Sequence, residues 1–421
     1  MTRVLSINYD RGYSSVVSTN TGRILEGRVL QSSTFPASTV RNLKDPHNDW
    51  EYVVCAVPSQ FDHFKQLVKP LTSARPILVD YREALAMSSI AMCDWTSCAV
   101  MVIDSLCCSL GYYAGGQFHW LKQFSYPNSI ALFYSAAARF LGFDPMLEEH
   151  KLAASSELGN PIYASLIEQK FVNCSDGDYT LLQDLTRGIG NGPLNLDIAS
   201  SVQAVFDKTV LHLASWLSRA VDSKRLAYAG RASANYLTNT KIANFSGFNE
   251  ILIQPLTSYA GAVVGAASLV SRSIFDSINI GEEVNLGLTP DHMAKKLLSG
   301  KIVPFINGKS EFSDTSLINR NWLTIPFTPV VDEFRNRTRL NEPWEQPLVL
   351  CQERDYSTYY ANKIVPKYGQ YKSANLVEII QPTDKTTRVV AVNNSSNAYL
   401  HRVLEILRVE GYPILLSAPI I

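Results

Sequence analysis

Apolar and polar positions alternate with a period of two over residues 4–8, 14–18 and 24–30, and the Thr-Asn-Thr-Gly run at 19–22 supplies a hairpin turn between the last two. Such alternation predicts half-buried strands, so the chain opens as a β-meander. Residues 51–57 predict a fourth strand, a stretch near 60–68 a helix and residues 76–79 a fifth strand. A helix over 83–91, a buried strand over 98–104 ending on Asp104, and a hairpin over 110–114 and 116–124 come next. The helix expected at 128–141 closes on Gly142, a residue suited to the left-handed conformation of a helix end.

The stretch from Lys224 to Val270 organises the rest. A strand over 225–229 meets Gly230 and runs through small residues into a helix that stops near Phe245. A second strand over 250–254 enters a loop at Pro255, then a helix in which Gly261, Ala262, Gly265, Ala266 and Ala267 would allow close approach to a sheet. Helix starts that follow strands through glycine turns hold anions well, because free backbone N–H groups and the helix dipole point the same way. Here the first turn carries Arg231 and the second carries Tyr259. Meander plus βα, repeated, predicts a mixed α/β fold of two similar halves, the architecture of actin-like proteins that clamp a nucleotide between them. A long helix over 198–221 delivers the chain to this stretch, and residues 276–290 read as a linker. Past that linker, residues 291–299 predict a helix, and residues 302–306 and 414–417 predict strands.

Composition narrows the function classes. The 421 residues carry 38 basic and 38 acidic side chains, so no chain-wide field would draw nucleic acid or acidic lipid. Neither a signal peptide nor an apolar run long enough for a membrane span is legible, and the odd count of seven cysteines fits a reducing cytoplasm. Cys107 and Cys108, adjacent on a predicted strand, would face opposite ways and cannot easily share a zinc tetrahedron. No Gly-x-Ser-x-Gly elbow occurs, which argues against a serine hydrolase.

The order of motifs resembles the ATP-dependent O-carbamoyltransferases of nodulation-factor and antibiotic biosynthesis. SIALFY at 129–134 before LGF at 141–143, EEHKL at 148–152 followed by GNPIY at 159–163, Gly230 with Asn235 and Asn239, and the segment from Gln254 and Pro255 to Ala267 carry the likeness. Further on, GKSEF at 308–312, Leu317, Asn319, Arg320 and Pro326 extend it. The resemblance implies a duplicated actin-like (ASKHA, RNase H-like) domain over residues 1–285 and a shortened YrdC-like α/β domain over 286–421. It also implies transfer of a carbamoyl group, from a carbamoyl-adenylate made with ATP and carbamoyl phosphate, to a hydroxyl, with a metal at the base of the cleft.

The residues depart from that family at its chemical positions. Tyr81 and Leu85 stand where a His-x-x-x-His pair should hold the metal and Tyr259 where a second aspartate should lie, leaving Asp104 alone. Arg11 replaces an acceptor-contacting histidine, and Arg231 the second glycine of the nucleotide turn. In the C-terminal part Thr315 replaces an arginine, and a Lys-x-Arg-Glu-x-Phe-Arg motif appears as Arg339, Asn341, Glu342, Trp344 and Glu345. On this alignment the retained catalytic positions are Asp104 and Lys151, and those facing nucleotide or phosphate are Gly230, Arg231, Asn235, Tyr259, Arg320 and Arg339. The resulting expectation is a family member with degraded metal and phosphate sites, a non-catalytic or accessory subunit. Such a subunit needs no cofactor and pairs with an active homologue or with itself. One alternative is an active divergent transferase using ATP and carbamoyl phosphate, and another is a small-molecule binding module in the old cleft.

Overall fold

A computed structural model describes residues 2–10, 13–20, 23–30, 35–41, 49–57, 59, 61–145, 148–253, 256–257, 259–275, 279–285, 287–312, 318–340, 342, 344–345, 347–355 and 389–420. Arg11, Gln254, Pro255, Thr315, Leu317 and Asn341 lie outside the described residues.

The first half comprises β1 (Val4–Asp10), β2 (Tyr13–Asn20), β3 (Arg23–Leu30), α1 (Ala37–Arg41), β4 (Tyr52–Cys55), α2 (Phe61–Val68) and β5 (Arg75–Leu78). Its sheet runs β3-β2-β1-β4-β5, with the meander antiparallel and β1, β4 and β5 parallel. After α3 (Tyr81–Ile90) the second half repeats this plan with β6 (Ser97–Asp104), β7 (Cys107–Ala114) and β8 (Gln117–Ser125). An insertion of α4 (Ile130–Phe140), α5 (Glu149–Ser156), α6 (Ala164–Phe171), the hairpin β9 (Val172–Ser175) and β10 (Asp178–Leu181), and α7 (Leu196–Ala220) precedes β11 (Arg225–Ala229). Then come α8 (Tyr236–Phe245), β12 (Glu250–Ile253) and α9 (Tyr259–Ser271). The second sheet runs β8-β7-β6-β11-β12, again with an antiparallel meander and three parallel strands. Identical order and direction in both sheets make this a duplicated actin-like domain.

The sequence patterns explain the layering. Along β6, Cys98, Val100 and Val102 enter one core while Ala99, Met101 and Ile103 enter another, as expected of a central strand covered on both faces. Cys107 and Cys108 likewise divide between these two cores. Helix α9 makes the expected approach to a sheet, lying against β1, β2 and β4, and its small residues serve a second contact as well. It also packs closely against α3, and a Cβ on Gly265 would lie 1.7 Å from the Ala84 carbonyl oxygen.

Beyond α9, the stretch expected as a linker is held by backbone bonds from Gly281 to the Ser310 carbonyl and from Ser310 to the Glu282 carbonyl, each 3.0 Å or shorter. The remaining elements are α10 (Pro290–Leu298), β13 (Val303–Ile306), β14 (Arg320–Thr324), α11 (Thr328–Arg337), β15 (Leu348–Gln352), β16 (Val389–Val392), α12 (Asn394–Val409) and β17 (Ile414–Pro419). They form a sheet of order β13-β14-β17-β15-β16 with its own apolar core. Among the described residues no helix is long and apolar enough to cross a membrane.

Candidate functional site

Strand β6 ends on Asp104, whose register partner across the tight β6–β7 hairpin is Cys107. The carboxylate accepts the Leu106 N–H at 3.3 Å and the Arg231 N–H at 3.2 Å, and the Tyr81 hydroxyl donates to it at 3.4 Å. Tyr81 is placed there by its helix start: Asp80 caps α3 by accepting from the backbone of Arg82 and Glu83, which fixes Tyr81 at the first helical position. Leu85 joins the same core one turn on. Tyr259, at the start of α9, lies with its ring 6.3 Å from that of Tyr81, and each tyrosine is only 8% exposed. Burial, then the nearby Asp104 carboxylate, raises the Tyr81 phenol well above its ordinary value, so it remains a donor at neutral pH.

These positions are those the family resemblance assigns to metal ligands, and the fold brings them together. The donor set does not suit a cation. Asp104 is already engaged by three N–H or O–H donors, Leu85 has no donor atom, and buried protonated phenols are poor ligands. Among the described residues no group of three or more histidine, cysteine, aspartate or glutamate side chains is gathered to hold a metal ion.

The glycine turn differs from the helix start expected there. Gly230 adopts φ 90° and ψ 170°, and a Cβ on it would lie 2.4 Å from the Ile103 carbonyl oxygen, so this crossing over β6 requires glycine. A single 3-10 turn, Arg231–Ala234, intervenes before Asn235 caps α8 by accepting the Thr238 N–H at 3.1 Å. The Asn235 amide also donates to Gln203 at 3.0 Å, and Gln203 in turn accepts from Tyr134 at 2.6 Å and donates to Asp207 at 2.7 Å. Asn239 donates to the Ser233 carbonyl at 2.8 Å.

Arg231 projects from the turn into the lining of a cleft. Its guanidinium donates to Glu149 at 3.1 Å and to the Pro145 carbonyl at 3.2 Å. Burial by itself would lower the arginine; the Glu149 and Asp104 carboxylates outweigh it, and the guanidinium is held above its ordinary value. Glu149 shifts upward because burial penalises its charge more than Arg231 and the Ser135 hydroxyl relieve it. Lys151, two residues on, meets Glu148 and Glu345 at 2.9 Å each. Glu345 comes from the C-terminal part, so this ion pair joins the two parts of the chain across a cleft.

That cleft is partly open to solvent, and Glu149, Lys151, Arg231 and Asn235 line it together with Trp344 and Glu345. Asp104, Gly230 and Tyr259 lie beneath or beside Arg231. Arg320 and Arg339 do not line it. Arg320 donates to the carbonyls of Asn319, Glu282, Gly308 and Asn307 at 2.7–3.4 Å, and Arg339 occupies an exposed left-handed position, φ 57°, after α11. Sequence reasoning missed Glu149 as the partner of Arg231, although two adjacent glutamates at a helix start before a lysine were a legible cue.

Two sheets of like order define an actin-like fold, and the cleft described here lies not between its two halves, as expected, but between the second half and the C-terminal part. A sequence profile described as "Carbamoyltransferase N-terminus" matches residues 184–268, which span α7 to α9. The nodulation protein NolNO of Sinorhizobium fredii is 23% identical over 82% of this chain and 59% of its own length. NolO of Bradyrhizobium diazoefficiens is 24% identical over 59% of this chain and 53% of its own. The 3'-hydroxymethylcephem-O-carbamoyltransferase of Amycolatopsis lactamdurans is 21% identical over 42% and 39%. The solved structure of (R)-2-hydroxyglutaryl-CoA dehydratase component A from Acidaminococcus fermentans overlaps 64% of this chain and 97% of its own at 15% identity and a TM-score of 0.43. These matches show a likeness to carbamoyltransferases, at the level of a family profile over residues 184–268 and of distant relatives over more of the chain. The chain spans little more than half the length of the two nodulation relatives.

Proposed function

We propose that this chain is a carbamoyltransferase-family protein that serves O-carbamoylation as a non-catalytic or accessory subunit, its ancestral metal and phosphate sites closed by its own side chains. The observation that carries this reading is Arg231. Its guanidinium occupies the phosphate approach and is bound by Glu149, while its backbone N–H is spent on Asp104. A charged nucleotide would have to displace a largely buried ion pair, and removing one partner of such a pair costs about 3–5 kcal/mol. Tyrosines at 81 and 259 complete the closure by filling the neighbouring ligand positions with aromatic surface.

In this reading the names of the relatives supply the context, a hydroxyl acceptor and a carbamoyl donor, and this chain supplies a scaffold beside an active homologue. The YrdC-like character of the C-terminal part and a cytoplasmic home belong to the same proposal. The test is to incubate the purified full chain with carbamoyl phosphate, ATP and magnesium and to follow pyrophosphate release. No release above a protein-free control is expected. Release on the scale of an active transferase would overturn the reading, and the same assay with an active homologue added reports whether this chain changes its rate.

A further inference from the structure

The cleft is well formed, yet its charges are arranged against the anions the family handles. Two cations line it, and both are already met: Arg231 by Glu149 at 3.1 Å, Lys151 by Glu148 and Glu345 at 2.9 Å each. In these ion pairs three carboxylates stand against two cations, and the buried Asp104 behind Arg231 adds a further carboxylate. The remaining walls are aromatic and small: Tyr134, Phe206, Tyr236 and Trp344 contribute rings, and alanines complete the lining. Aromatic faces attract cations and stack on other rings, and an anion entering here would face carboxylates without an available counter-charge.

We propose that this cleft binds a compact aromatic ligand that is uncharged or positively charged, and that it turns away phosphorylated and other anionic ligands. The proposal rests on the reading that the cations of the ancestral phosphate site have been taken up internally, and it adds the class of molecule that the remaining space accepts. Glu345 acts as the selector. It reaches Lys151 from the segment after α11 and, with Glu148, converts a lysine that would attract phosphate into one that is satisfied.

The test is a charge series on one ring, titrated into the full chain by calorimetry: tryptamine, indole-3-ethanol and indole-3-acetate. Tryptamine and the alcohol are expected to bind at least tenfold more tightly than the acetate, and AMP and ATP are expected to leave the melting temperature unchanged. The double variant Glu148→Gln with Glu345→Gln leaves Lys151 unmatched and is expected to gain tenfold or more for indole-3-acetate. Should that variant fold poorly, as circular dichroism would report, Glu345→Gln alone is expected to move the preference in the same direction by several-fold. The proposal is overturned if the acetate binds as tightly as tryptamine, if none of the three binds, or if the variants leave the preference unmoved. These outcomes are separable from the pyrophosphate assay: an anion-tolerant cleft without turnover defeats this proposal alone, and turnover with a cation-preferring cleft defeats only the proposed function.

Discussion

The two halves of the actin-like domain share a strand order and differ in what they carry. In the first, residues 31–51 join β3 to β4; in the second, residues 126–224 join β8 to β11 and contain four helices and a hairpin. Cleft-lining residues come from α4, α5 and α7 of that insertion, from the start of the β11–α8 connection, and from the C-terminal part. The repeated strands therefore carry the fold, and the cleft is built where the insertion, the β11–α8 connection and the C-terminal part meet. Gln203, Asn235, Thr238 and Asp207 in the second half satisfy one another, whereas Ser6, Asn8 and Ser18 in the first, like Ser109 and Tyr228 in the second, are buried with side-chain atoms that meet no hydrogen-bond partner among the described residues.

This contrast can be broken most forcefully at Arg231. Arg231→Met leaves the Glu149 carboxylate largely buried without its cation, and a loss of about 3–5 kcal/mol is expected in urea unfolding at pH 7. The sign of its pH dependence is set by Glu149, whose carboxyl is raised by burial in the folded protein. A raised carboxyl binds protons on folding above its ordinary value, so the stability it contributes falls as pH rises through that window. Without Arg231 the fall steepens, and the variant should recover part of its loss between pH 7 and pH 5. Second in size is Gly265→Ala, which would drive a methyl into the Ala84 carbonyl where α3 and α9 cross; a loss of about 2–3 kcal/mol is expected by the same measurement. Gln203→Leu strands the Tyr134 hydroxyl and one Asp207 contact, and about 2 kcal/mol should go with them.

Much of the repeated fold was legible because its strands alternate cleanly and its turns contain glycine or asparagine. The β6–Asp104 end, the Gly230 turn and the small face of α9 could each be placed from residues alone. The insertion was harder to read. Helix α6 is only eight residues long with no fully buried residue, and the β9–β10 hairpin pairs only four residues on each side. The site was half legible. Tyr81, Asp104, Arg231 and Tyr259 were singled out by type and order, but periodicity does not report which carboxylate will reach a given guanidinium. The pairings of Arg231 with Glu149 and of Lys151 with Glu345 join residues 82 and 194 positions apart. Only the packing of α5 against the turn and of the C-terminal part against the cleft brings them together.

The smallest expected effect has the opposite sign and sharpens the comparison of the halves. Asn8 lies on β1, between Ile7 and Tyr9, which enter the outer core of the first half, so its own side chain faces α9 beside that of Val4. It is 1% exposed, and neither its amide nitrogen nor its amide oxygen meets a hydrogen-bond partner among the described residues. Burying an amide without partners costs free energy that an apolar group of similar size does not incur. Asn8→Leu is therefore expected to stabilise the protein by about 1 kcal/mol, read as a rise in the urea midpoint with an unchanged slope. In the second half the equivalent exchange at Gln203 should destabilise, because its polar neighbours lose a partner there. If Asn8→Leu instead costs more than about 1 kcal/mol, the first half holds a polar contact of its own at that strand.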